Sequence, residues 1–406
     1  METQHVILLF MGMLLLSVFV EPLANRVKLP FAAALIVIGF VVSEILVYFS
    51  IDTGVRWYNF YDLIFYVFLP ILIFEAAFSM DVRLLAKNIL PVMVLAIPLM
   101  LSSACIIAVI LYYGINYPAG FPWVAALLTG ALLSATDPAA ILAVFKKLKA
   151  PPRLSLMLDG ESLFNDAVAI VLFTSLTAIA MHSQPAFSLA AESVRFAGVF
   201  TGGLLVGGIV GLLGYFITPR LEGEIAQSIF SLVSAYMAYY VAESVLHVSG
   251  VMSVLVAGLI LGHIYRLGSQ SSASGFMPAL WAYKSYIATA MVVLIAGVTI
   301  QLTRGTEQWL AISIGIFAVL FARATCILGI FPLLNLMPGN QPVNRQDRVL
   351  MVWGGVRGVV TLALALSLPV DLPYWWTIQS IAYGVVIFTL LVQAPTIGRL
   401  ISEESR

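Results

Sequence analysis

The chain has 406 residues, of which 61% are hydrophobic and 10% charged, with a mean hydropathy of +1.03. A soluble domain carries about 25% charged residues, so this composition excludes a water-solvated globule and makes lipid the solvent for much of the surface. Net charge is zero, which removes the basic footprint of a nucleic-acid binder. The two cysteines, Cys105 and Cys326, lie inside apolar runs and imply neither a disulfide framework nor a metal site.

A spanning helix needs about 20 apolar residues. Turn and charge punctuation predicts thirteen spans, at about 6–21, 30–48, 61–79, 88–113, 122–146, 154–181, 195–217, 225–246, 250–265, 281–302, 309–335, 347–368 and 376–400. The first lacks a basic leader and a small-residue cleavage site, so it reads as a retained span. Basic residues divide unevenly between alternate loops. Fourteen fall on one side, among them Arg26, Lys87, Lys146, Lys147, Arg266 and Arg345, and three on the other, Arg56, Arg195 and Arg304. By the positive-inside rule the N-terminus is outside and the C-terminus cytoplasmic, which places a multi-pass chain in the cytoplasmic (inner) membrane. Glycines repeat from Gly198 to Gly214 in the seventh run and read as a helix-packing face.

Five ionisable residues fall near span centres: Asp137 in the fifth, Glu161 and Asp166 in the sixth, Arg323 in the eleventh and Arg357 in the twelfth. Each charge at that depth costs roughly 3 kcal/mol on insertion scales, so they should pair and line a polar path. In the sixth span Glu161 and Asn165 are four apart, as are Ser162 and Asp166, which puts all four on one helix face. Two carboxylates, a hydroxyl and an amide are hard oxygen ligands, suited to a small hard cation and not to a transition metal.

The fifth span contains Thr136-Asp137-Pro138, and the twelfth Gly354-Gly355-Val356-Arg357-Gly358. Proline removes a backbone donor and clustered glycine weakens a helix, so both spans should be interrupted at membrane depth. Freed carbonyls there, with the Thr136 hydroxyl and Asp137, make a second set of oxygen ligands. The two interrupted spans are the fifth of the first six and the fifth of the last six, with the seventh as linker. Discontinuous spans at matching positions of two halves point to a transporter site, and the span count makes the repeats inverted.

Blander readings stand beside these. A Glu161–Arg323 pair would serve to hold helices together, Asp137 would serve as a helix cap, and Glu75 and Glu243 read as structural hydrogen-bond partners. Asp159 reads as a cavity-entry residue, and His182, His247 and His263 as interfacial histidines. No catalytic constellation is read. A channel, a sodium-coupled organic-anion symporter and an intramembrane protease using Asp137 and Asp166 remain as alternatives. The acidic ligand face disfavours an anionic substrate. Pro138 and Asn165, beside the two aspartates, suit a paired-carboxylate protease poorly.

On the segments Thr136-Asp137-Pro138, Gly160-Glu161-Ser162-Leu163-Phe164-Asn165-Asp166, Phe321-Ala322-Arg323 and Gly354-Gly355-Val356-Arg357-Gly358 the sequence resembles the NhaP/NHE-type sodium:proton antiporters. The resemblance implies an all-α polytopic membrane protein with two inverted six-helix repeats whose broken helices cross. It implies a first repeat over 1–190 (dimerisation helices 1–3, core helices 4–6), a linker helix over 191–220 and a second repeat over 221–406 (dimerisation helices 8–10, core helices 11–13). It implies Na⁺ held at Asp166, Asp137, Ser162 and the Thr136 backbone, with Glu161 acting through water and paired with Arg323, and Arg357 offsetting the helix ends. The Asn165-Asp166 pair implies electroneutral exchange. Implied partners are a monovalent cation, Na⁺ or Li⁺ with K⁺ as the alternative, a proton, the bilayer and a second copy of the chain. No cofactor is implied. The short tail as given suggests a prokaryotic form. Three acids against two arginines leave the site one charge short of neutral, so that one proton or one monovalent cation completes it.

Overall fold

The computed structural model describes residues 3–27, 29–49, 61–115, 120–139, 141–142, 145, 152–181, 189–268, 275–300, 305–335 and 343–397. The loop positions Arg56, Tyr117, Lys146, Lys147, Lys149, His182 and Arg304 lie outside these. The described residues are helical, with no strand among them. Among the described residues eleven helices are long and apolar enough to cross a membrane. They fall on eleven of the thirteen expected runs. The other two runs, 122–146 and 347–368, are the broken ones.

In chain order the helices are α1 (Thr3–Val27), α2 (Phe31–Tyr48), α3 (Tyr61–Ser79), α4 (Ile89–Gly114), α5 (Trp123–Ser134), α6 (Pro152–Met181), α7 (Leu189–Ile217), α8 (Glu224–Val245), α9 (Gly250–Gly268), α10 (Phe276–Thr299), α11 (Gly305–Asn335), α12 (Arg345–Trp353), α13 (Val359–Leu366) and α14 (Trp375–Ile397). The short ninth run, expected at 250–265, is a full span. α1 continues past the expected limit at 21 through Glu21 and Pro22. The apolar run ends where side chains meet the interface, but the backbone ladder continues beyond it. Packing divides the chain into two compact units. One comprises Met1–Tyr61, Leu90–Ala169 and Ala290–Arg406; the other comprises Asp62–Ile89 and Ile170–Thr289.

In the first unit α5 is buried on every side from Leu128 to Ser134, which explains why it is apolar all round and has no amphipathic stripe. It presses on α4 so closely that a Cβ at Gly130 would come within 2.3 Å of the Ala104 carbonyl. α2 and α10 meet at Gly39 and Gly297 in the same way, and the Ser43 hydroxyl donates to the Val298 carbonyl at 2.8 Å. Four spans contain a π turn, at 64–68, 95–99, 241–245 and 389–393. Pro98 lies inside the second, where its missing N–H removes a rung of the ladder. Pro395, two residues past the last, removes a rung there in the same way. There Thr389 begins the π turn and has another partner, described below.

In the second unit α7 presents its glycine face to α9. A Cβ at Gly207 would lie 2.2 Å from the Ser253 carbonyl, and Gly203 meets Ser249 similarly. The opposite face of α7 exposes Leu205, Ile209 and Leu212, as a lipid-contacting helix does. Arg266 donates to the Ser79 carbonyl at 3.2 Å and to the Met80 carbonyl, satisfying the C-terminal end of α3. Glu75 accepts from Ser79 at 3.1 Å and Glu243 from the Gly250 N–H at 2.9 Å, so both acids in this unit have local partners. Lys284 sits over the Trp281 ring, 4.7 Å from its centroid.

At Gly207 the α7–α9 contact is with the Ser253 backbone, so no side chain there can yield. Gly207→Ala is expected to destabilise the protein by about 1–3 kcal/mol, read as a lower melting temperature in detergent. Gly208→Ala, where the added methyl meets nothing within 4 Å, is expected to leave it unchanged.

Candidate ion-binding site

Both broken spans lie in the first unit. α5 ends at Ser134, residues 135–138 leave the helix, and helix resumes at Ala139. α12 ends at Trp353, residues 354–358 are non-helical, and α13 begins at Val359. The two breaks are bonded to each other. The Asp137 N–H donates to the Val356 carbonyl at 2.7 Å, and the Thr361 hydroxyl reaches the Leu132 carbonyl at 3.4 Å.

A break in a buried helix creates two kinds of orphan, carbonyls on the ending half and N–H groups on the starting half, with partial charges to match. Each kind has an ionic partner. The Arg357 guanidinium donates to the Leu133 carbonyl at the end of α5 (2.8 Å) and to the Gly355 carbonyl after α12. Its own N–H is taken by the Thr389 hydroxyl of α14 at 3.1 Å, and Thr389 in turn donates to Val386 at 3.0 Å. The Asp137 carboxylate accepts from the Ala139 N–H at 3.0 Å, and its other oxygen lies against Gly358 at the start of α13, so it faces the N-termini of both restarting helices. One arginine thus serves two helix C-termini and one aspartate two N-termini.

The glycines of the second break make room for these charges. A Cβ at Gly358 would lie 1.9 Å from Asp137 Oδ2, and one at Gly355 would meet Arg357 Nη1 at 2.9 Å and Arg323 Nε at 3.1 Å. No side chain fits at either position. The two guanidinium groups flank Gly355, and both arginines are buried.

α6 brings its polar face to the first break. The Ser162 hydroxyl donates to the Thr136 carbonyl at 2.5 Å. Asn165 and Thr136 bond reciprocally, amide to hydroxyl at 2.8 Å and N–H to amide oxygen at 3.5 Å. Glu161 forms a two-pronged ion pair with Arg323, one prong at 3.1 Å, and Arg323 Nε also donates to the Met351 carbonyl at 3.2 Å. Glu161 is 1% exposed, so this charge is fully removed from solvent and matched.

Asp166, one turn beyond Ser162, differs from the other acids. It lies close enough to Asp137 to feel its charge, is only partly buried, and forms no hydrogen bond or ion pair with any described residue. All eight positions singled out in the sequence therefore come together around the crossing. Reading by residue type missed Thr389 and the carbonyls of Leu133, Gly355 and Met351. A lone threonine in the apolar run of α14 was the signal for the first. Backbone carbonyls leave none.

Two helices broken at membrane depth and bonded through their breaks, with acids on a third helix against them, define the build of a secondary transporter. The comparisons agree. The chain matches the family described as "Sodium/hydrogen exchanger, transmembrane" over residues 12–403, and it belongs to that family. It is 36% identical over 343 residues to the Na(+)/H(+) antiporter ApNhaP of Aphanothece halophytica, covering 84% of this chain and 64% of that protein. It is 32% identical to the low-affinity Na(+)/H(+) antiporter NhaS1 of Synechocystis sp., covering 95% of this chain and 72% of that one. The structure of the sodium proton antiporter MjNhaP1 from Methanocaldococcus jannaschii has the same fold, with a TM-score of 0.82 over 97% of this chain and all of that one, at 20% identity.

The ion pair yields a double-mutant test. Removing one partner of a buried pair costs about 3–5 kcal/mol, so Arg323→Ala should lower the melting temperature clearly. Glu161→Gln added to it should restore part of the loss. Additive losses in the double variant would show that the two residues are not coupled.

Proposed function

We propose that the chain exchanges Na⁺ for H⁺ across the cytoplasmic membrane, one charge for one, by alternating access at Asp166. The observation that carries this reading is the asymmetry among the three acids of the site. Glu161 is matched by Arg323, and Asp137 faces two helix N-termini, whereas Asp166 has no hydrogen-bond or ion-pair partner among the described residues and is the acid left to bind what is exchanged. The family and the named activities of its relatives support sodium as the cation.

In this reading Na⁺ is held by Asp166, Asp137, Ser162 and the Thr136 carbonyl. Ser162 already donates its proton to Thr136, which turns its lone pairs outward as ligands. Asn165 fixes Thr136 from the other side, and Glu161 acts through water. A proton on Asp166 and a cation beside it are alternatives, because each neutralises the same charge. The empty form keeps an uncompensated charge in a low-dielectric site, and this opposes the conformational switch. Coupling follows because only the loaded forms cross. The same reading places the N-terminus outside and the C-terminus in the cytoplasm, follows the two-repeat plan of 1–190 and 221–406 around a linker helix, and has two copies of the chain forming a dimer.

Asp166→Asn keeps the shape and removes the charge. In sealed vesicles it should insert and fold as wild type does, yet move no protons in response to Na⁺ above the level of empty vesicles. Below the pKa of Asp166, the wild-type affinity for Na⁺ should weaken about tenfold per pH unit, since each cation then displaces a proton. At high pH affinity should plateau while turnover falls for lack of protons. Exchange by folded Asp166→Asn protein at near wild-type rate would falsify the shared-carboxylate mechanism.

A further inference from the structure

The first unit contains a cavity of about 510 Å³, enclosed by α2, the end of α10, the start of α11 and α14. None of the residues of the ion site lines it. Along α14 its lining runs from Trp375 to Phe388, thirteen residue steps, or about 20 Å at the helical rise. That is about the depth of one leaflet with its headgroup layer.

The lining changes character over this depth. At the end where α11 and α14 begin, it offers Gln308, Trp309, Trp375 and Gln379; at the deep end it offers Phe40, Ile316, Ile387 and Phe388. Tryptophan gathers at membrane interfaces, so the polar end sits at headgroup level and the apolar end at mid-membrane. Among the described lining residues Tyr383 is the only ionisable side chain, and its hydroxyl is already bonded to Thr299 at 3.0 Å. A cation path would need charge or a row of free oxygens, and a charged ligand would need a counter-charge. The cavity offers no charge, and the hydroxyls of Thr299, Ser313 and Ser380 are each bonded to a carbonyl of their own helix. It also reaches the surface at Val37 and Trp309, which are 39% and 56% exposed.

We infer that this cavity is a lipid site, which takes one acyl chain of a phospholipid with the headgroup ester region held among Gln308, Gln379 and the tryptophans. The occupant has to be apolar at one end, polar with no net charge at the other, and about one leaflet long. A membrane phospholipid of zwitterionic headgroup has that chemistry and is present at high concentration on the open side. The inference does not depend on the exchange reaction.

The test is native mass spectrometry of the full chain, purified in detergent and exposed to dioleoyl phosphatidylethanolamine. Wild type should retain one phospholipid per chain through detergent exchange. Ser380→Phe and Ser313→Phe place a ring in the cavity from α14 and α11 respectively, and each should retain none. If one variant fails to elute as a single species, the other decides. A third readout needs no substitution: phosphatidylethanolamine brominated near the ester end of its acyl chains, at the level of the tryptophans, should quench wild-type tryptophan fluorescence, while acrylamide should not. Equal lipid retention by wild type and both variants would place the lipid elsewhere on the surface. Absence of retained lipid, with tryptophans open to acrylamide, would make the cavity an aqueous vestibule. Either result overturns the inference.

Discussion

The site depends on one constraint: a helix broken inside a membrane has to dispose of its backbone partial charges. The bilayer supplies no water to bond them. Here the two breaks are placed against each other, and Asp137 donates its N–H to Val356 across the gap. The remaining ends are handled in pairs, carbonyls by Arg357 and N-termini by Asp137. Both side chains are thereby committed to the helix ends. Gly355 and Gly358 follow from this, because any side chain would occupy the space of a charged group.

With the crossing neutralised, the rest of the electrostatics becomes simple. Glu161 and Arg323 cancel inside the protein. Asp166 is left over, on a helix whose other polar residues, Ser162 and Asn165, are bonded to the first break. In the proposed exchange, a change in what Asp166 holds would act on the helix that these short contacts tie to the crossing. That gives the loaded and empty states a route to different helix arrangements without a separate gate.

Much of this was legible in the residues. Apolar length marked the spans, Pro138 and the Gly354–Gly358 cluster marked the breaks, and acids at helical spacing marked the face of α6. These signals are readable because each is a property of side chains. The bonds across the breaks run to the carbonyls of Val356, Leu133, Gly355 and Met351, and a carbonyl is the same in every residue. The placing of Asp137 against two helix starts was foreseen only in outline, as a helix cap, because the second helix it faces is more than two hundred residues away in sequence. Thr389 was overlooked for a related reason: a threonine in an apolar run is more often bonded within its own helix, and this one does both.

The central claim is that one carboxylate, Asp166, holds either the proton or the cation. Counting protons released on cation binding tests it most directly. Na⁺ is titrated calorimetrically into the purified protein in buffers of different ionisation enthalpy, across a range of pH. The account predicts about one proton released per Na⁺ bound on the acid side of the Asp166 pKa, falling toward zero well above it. Sodium binding that releases no proton at any pH, or releases as many from Asp166→Asn protein as from wild type, would contradict it.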